Sequence, residues 1–186
     1  YTIYYTTVCK TFFVYCNVLL KLKNMKLLLT TIVSLCISIH VFSQDFTYIK
    51  DAVLTDSLSC FRAHNQVVEC ANYLLTNPCK QELNSLYASD FVIQWMTKTP
   101  NYSFSLHEKF YKTIESDVLL VSRYYATMAK LAIEKNTDVT SDEMQFEAIK
   151  EFLKYCSNSK NKVVVNKKLQ KYLDAHKSNS LRHVIT

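Results

Sequence analysis

The chain has 186 residues, room for one domain, and its 49% apolar content is enough to bury a real core. It contains no glycine, where average usage of about 7% would supply on the order of a dozen. Glycine-built phosphate-cradling loops, the dinucleotide fingerprint and the GxSxG elbow are therefore absent, which argues strongly against nucleotide enzymes and ordinary serine hydrolases. Residues 1–24 carry no acid, no proline and no clear helical or strand period, and an orderly pattern begins only at Met25. Translation is therefore expected to start at Met25, with residues 1–24 as non-native upstream sequence. From Met25 come a basic Lys26, an apolar run Leu27 to Ile39, and a short finish His40-Val41-Phe42-Ser43. This is the layout of a signal peptide over residues 25–43, with Val41 and Ser43 where a signal peptidase reads and Gln44 as the first mature residue. A membrane anchor is the alternative, but Leu27 to Phe42 is sixteen residues interrupted by Thr30, Thr31, Ser34, Ser38 and His40, against the roughly 20 apolar residues a spanning helix needs. A lipoprotein signal fits less well, because Leu35 precedes Cys36 where a small residue belongs.

Export to the periplasm or the extracellular space changes how charge and cysteine are read. All 16 acids follow Gln44 while Lys10, Lys21, Lys23 and Lys26 precede it, so loss of the leader takes the formal charge from +6 to +2, and the case for a nucleic-acid partner weakens with it. Cys9, Cys16 and Cys36 go as well, leaving Cys60, Cys70, Cys79 and Cys156. In an oxidising compartment these four allow two disulfides in three pairings that spacing cannot separate; buried free thiols are the alternative.

The mature chain, 44–186, reads as a single helical domain. A short helix is expected around Tyr48 to Leu54. Val67, Ala71, Leu74 and Leu75 share a face of a helix from about Arg62 to Thr76, stopped by Asn77-Pro78. A second helix is expected from about Lys80 to Lys98, with Leu83, Leu86, Phe91, Val92, Trp95 and Met96 on one broad side and Asp90, Gln94, Thr97 and Lys98 on the other. Ser105 to Glu108 has capping-box spacing and opens a helix to about Ile114. The stretch Ser116 to Lys135 is the expected central rod: Arg123, Thr127, Lys130 and Glu134 form one narrow polar stripe at helical spacing, and every other side is apolar. Ser116 is its expected N-cap, and Lys135-Asn136 its stop. Thr140 to Glu143 is a second capping box before a helix to about Tyr155, carrying Ile149, Phe152, Leu153 and Cys156. Asn158 to Asn161 form a loop, Val163 to Val165 a brief extended piece, and Asn166 caps a last helix with Leu169, Tyr172, Leu173 and His176 on one face. The fold class is thus all-α: an irregular bundle of about five to six helices around a central helix near 117–135.

Candidate chemistry is sparse. Cys60 and His64 stand four apart, with Glu69 and Cys70 downstream, but no CxxC or HExxH completes a metal site and nothing marks a catalytic triad. No cofactor and no metal is expected. Asp142, Glu143, Glu147 and Glu151 alternate with Lys150 and Lys154 as a solvated helix face. A basic C-terminal section, with Lys160, Lys162, Lys167, Lys168, Lys171, Lys177 and Arg182 against Asp174, could meet an anionic surface; a plain solvated face is the bland reading. The segment Trp95 to Phe104 gathers the one tryptophan, Pro100, Tyr102 and Phe104 in a turn between helices. These rings either pack the core or edge an aromatic binding groove.

With its tryptophan helix running into a Thr-Pro-Asx-Tyr-x-Phe turn, the chain from about Val67 to Leu173 resembles a set of small exported proteins of Gram-negative bacteria with no assigned activity. The resemblance implies a signal peptide and a helical fold, and it carries over no functional residues. Two functional readings follow. The first is an exported, non-catalytic binding protein that docks an envelope component or a protein partner through the Trp95, Tyr102 and Phe104 surface or through Lys167, Lys168 and Lys171, with no nucleic acid. The other is a thiol- or metal-dependent enzyme built on Cys60, His64 and Cys70.

Overall fold

The helix Val118–Lys135 begins at Asp117, whose carboxylate accepts the amide hydrogens of Leu119 and Leu120 at 2.9 and 3.2 Å. Ser116, the expected cap, lies one residue too early. A carboxylate at this position also meets the positive end of the helix dipole. The helix stops at Asn136, which takes the left-handed conformation (φ 49°) while the amide of Thr137 reaches back to the carbonyl of Ala132 at 3.1 Å. In a chain without glycine, asparagine is the residue that reaches this region at least cost. Lys162 and Asn179 do the same at φ 52° and 56°, so the lack of glycine does not bar positive φ from this fold.

The structure, a computed structural model, describes residues 45–185; the expected leader, the signal peptide and Cys9, Cys16 and Cys36 lie outside them. Among the described residues there are eight α-helices: α1 Ser57–Arg62, α2 His64–Thr76, α3 Leu83–Lys98, α4 Glu108–Ile114, α5 Val118–Lys135, α6 Asp142–Ser157, α7 Lys167–Lys177 and α8 Leu181–Ile185. Short 3-10 turns cover Thr47–Asp51 and Ser159–Asn161. The all-α bundle is as expected, with α1 and α8 as short additions. No helix among the described residues is long and apolar enough to cross a membrane.

α5 presents three faces to three surroundings. Ala126 and Ala129 meet a core made with α2 and α3, where Val67, Cys70, Leu74, Phe91, Val92 and Trp95 are buried. Leu120, Tyr124, Met128 and Leu131 meet a second core made with α4, α6, α7 and α8. The third face is the polar stripe. Its lower half is not wet: Arg123 is 1% and Thr127 3% exposed.

The helix ends explain much of the packing. α2 stops at Thr76 because Asn77, held extended before Pro78, leaves the helix. α3 starts at Leu83, three residues later than expected, and turns Ser85, Ala88, Phe91, Val92 and Trp95 inward. Leu83 and Leu86 are 59% and 56% exposed, a correction: they lie too far round the helix from Ala88 and Trp95 to share their face. The caps of α4 and α6 each fall later than the capping boxes suggest. His107 Nδ1 accepts from the Phe110 amide at 3.3 Å, and Ser141 Oγ from that of Met144 at 3.3 Å. With Nδ1 accepting, Nε2 carries the proton and donates to the Ile185 carbonyl at 3.1 Å, tying α4 to α8. Asn166 caps α7 as expected through Lys168 and Leu169, while its amide nitrogen donates to the Thr113 carbonyl at 2.8 Å. Among the described residues a single β-bridge pairs Phe104 with Val139, fastening the turn after α3 to the one after α5.

Candidate functional site

Above the buried Arg123 and Thr127, the stripe of α5 emerges between α2 and α6. There Lys130 and Glu134 enter a groove of about 480 Å³. Asn72, Leu75 and Thr76 of α2 form one wall, Glu147, Glu151, Lys154 and Tyr155 of α6 the other, and Asn158 and Asn161 close one end. The periodicity places these groups: on each helix the buried face is set by its apolar positions, and polar residues a third of a turn away are left at the rim.

Charge in the groove is mixed and locally balanced. Lys130 pairs with Glu134 at 3.7 Å, Lys150 with Glu147 at 3.3 Å and Lys154 with Glu151 at 3.6 Å. Pairs as exposed as these contribute only a few tenths of a kcal/mol each, so they set the pattern of the surface more than the stability of the fold. Leu75 and Leu131 supply an apolar strip beneath them. At the bottom, the Tyr155 hydroxyl donates to the Asn77 carbonyl at 3.0 Å, and the Asn161 amide nitrogen donates to the Tyr155 carbonyl at 2.8 Å. Burial pushes the Tyr155 phenol up to about 12 against the opposing pull of the Arg123 guanidinium, so it is a neutral donor at physiological pH.

Arg123 is the polar anchor under this groove. Its guanidinium donates to Ser85 Oγ at 2.8 Å, Ser122 Oγ at 3.2 Å and the carbonyls of Leu119 and Pro78 at 3.4 and 3.5 Å, and its Nε has no partner. Among the described residues no carboxylate stands within ion-pair distance of it. It rivets α3 and the Pro78 turn to α5. With 1% exposure it offers no ligand a surface, and burying a charge on neutral acceptors costs several kcal/mol.

The residues singled out by sequence lie elsewhere. Trp95 is fully buried, its indole N–H donating to the Cys60 carbonyl at 3.0 Å. Its ring sits 5.5 Å from His64, 5.8 Å from Tyr102 and 6.2 Å from Phe104. Trp95 therefore has no face of its own to present, and half-buried Tyr102 is held by Asn136 Oδ1 at 3.0 Å. Tyr102 and Phe104 pack, half-buried, against the core that holds Trp95. Lys167, Lys168 and Lys171 are exposed on α7.

Cys60 and Cys70 are fully buried in the α2–α3 core. Burial pushes both thiols up, Cys70 to about 12, the reverse of what a nucleophilic thiolate needs. His64 is half-buried among aromatic rings, and burial holds its imidazole below the usual range. Among the described residues no group of three His, Cys, Asp or Glu side chains gathers as a metal site would require. The four cysteines among the described residues are free thiols, so no disulfide joins them in this structure.

Sequence reasoning missed the groove. The signal was the upper stripe, Thr127, Lys130 and Glu134, whose need for a wet surface was visible; its opposite walls come from helices some 55 residues before and 20 after. No protein-family model, no curated protein and no solved structure matches the chain.

Proposed function

We propose that the chain is an exported, non-catalytic helical binding protein and that its binding element is the groove between α2, α5 and α6, which takes a peptide segment of a protein partner. Export is supported by the leader pattern over residues 25–43. One observation carries the binding reading: the most buried helix of the fold sends its polar stripe into a groove lined by Lys130, Lys135 and Lys154 together with Glu134, Glu147 and Glu151. An extended peptide presents charges of both signs, free backbone donors and acceptors, and apolar side chains. Those match the paired charges, the amides of Asn72 and Asn158, and the Leu75–Leu131 strip. A polyanion such as nucleic acid calls for a surface of one sign, which this groove lacks.

The test is selection of phage-displayed random peptides on the full-length chain. Enriched peptides carrying both acidic and basic residues are expected. Their binding should fall at least tenfold on Asn72→Trp, which fills the groove from an exposed position, and stay unchanged on the triple variant of Lys167, Lys168 and Lys171 to glutamate. Loss only on the triple variant would move the site to the basic face of α7, and no enrichment at all would reject the groove.

A further inference from the structure

Cys79 and Cys156 are 77 residues apart in the chain and share one corner of the fold. Cys79 sits in the turn between α2 and α3, and Cys156 in the last turn of α6. The turn is fastened to the end of α6 and to the 3-10 turn that follows it: the Tyr155 hydroxyl donates to the Asn77 carbonyl at 3.0 Å, and the Cys79 amide donates to the Asn161 carbonyl at 2.6 Å. Cys79 packs against the core cluster in which Cys156 is 6% exposed. Burial, above all, holds the Cys156 thiol up, and any charge at Cys79 adds to that in the same direction. Cys60 and Cys70 belong to the other core, and both are sealed from solvent. Among the thiols of the described residues only that of Cys79 is half-exposed, and so open to an oxidant.

We infer that Cys79 and Cys156 are a redox pair: an organic disulfide in the surrounding medium oxidises them to one intrachain disulfide that joins the Pro78 turn to the end of α6. The accessible Cys79 thiolate attacks one sulfur of the acceptor and expels a thiolate. The Cys156 thiolate then attacks the Cys79 sulfur of the mixed disulfide and expels the second. Two protein thiols lose two protons and two electrons, one S–S bond forms, and the acceptor ends as two thiols. The bond closes a long loop and so restricts the unfolded chain more than the folded one. Burial of Cys156 makes the second step slow and the finished bond hard to reduce.

The experiment incubates the full-length chain with oxidised glutathione, alkylates the remaining thiols under denaturing conditions, and maps linked peptides by mass spectrometry. A Cys79–Cys156 peptide is expected, with Cys60 and Cys70 alkylated and the Tm raised by about 10 °C over the reduced protein. Cys79→Ser, at a half-exposed position, should abolish both the linked peptide and the Tm rise. A link from Cys79 or Cys156 to any other cysteine, a Cys60–Cys70 link, or alkylation of both Cys79 and Cys156 at every glutathione ratio would overturn the pair. None of these readouts depends on what the groove binds.

Discussion

The two cores on either side of α5 are built from opposite materials. On the side of α2 and α3, α5 contributes Ala126 and Ala129, and the bulk comes from the partners, above all Trp95, Phe91 and Leu74. On the side of α4, α6 and α7, α5 contributes Leu120, Tyr124, Met128 and Leu131 to an aromatic cluster in which Phe110 stands 5.3 Å from Tyr124, 5.8 Å from Phe152 and 5.1 Å from Tyr172. Small residues let the backbones of α2, α3 and α5 approach closely; large ones hold α6 and α7 further off with interdigitated rings. The groove lies on the border between these two modes, between α2 on the close-packed side and α6 on the aromatic side.

The contrast can be broken most severely by truncating a ring. Phe152→Ala is expected to cost about 3–5 kcal/mol in denaturant unfolding, because a fully buried aromatic leaves a cavity. Adding bulk should separate the two sides next: Ala129→Leu overpacks the close-packed face and should cost about 1–3 kcal/mol, and a smaller effect would mean that α2 and α3 sit less tightly on α5 than described. Tyr124→Phe runs the other way. Its hydroxyl is buried without a partner, so removing it should raise stability by up to about 1 kcal/mol; a loss would reveal an acceptor for that hydroxyl.

The smallest expected effect is a pH slope on the α2–α3 side. Burial holds the His64 imidazole below its unfolded value, which is near 6.5. The unfolded chain therefore takes up the proton first. The contribution of His64 is complete above pH about 6.5 and is lost as the pH falls through that value toward the lower folded one. Unfolding free energies measured from pH 7.5 to 5.5 should decline on acidification, and His64→Gln should flatten the decline.

Local signals were the readable ones. Asn77-Pro78 stops α2 because the residue before proline avoids the helical region; Asn136 stops α5 and Asn166 caps α7 through the side-chain and left-handed preferences of asparagine. What failed was choosing among adjacent candidates. Ser116 and Asp117, Thr140 and Ser141, and Ser105 and His107 all offer acceptors, and which one caps is decided by where the preceding chain leaves the core. Leu83 and Leu86 look like core residues by type, but the register of α3 is fixed by Trp95 and by the hydrogen bond that Ser85 Oγ accepts from Arg123. Burial of Arg123 could not be read from a stripe that continues into Lys130 and Glu134. Nor could the groove, since its walls are distant in sequence.

The central claim is that α5 is the rod both cores share. Native-state hydrogen exchange on the full-length chain tests it most directly. Amides from Leu120 to Ala132 are expected to exchange only through global unfolding and to be the slowest among residues 45–185, with those of α1 and α8 opening earlier. Exchange from α5 as fast as from α1 or α8 would contradict the account.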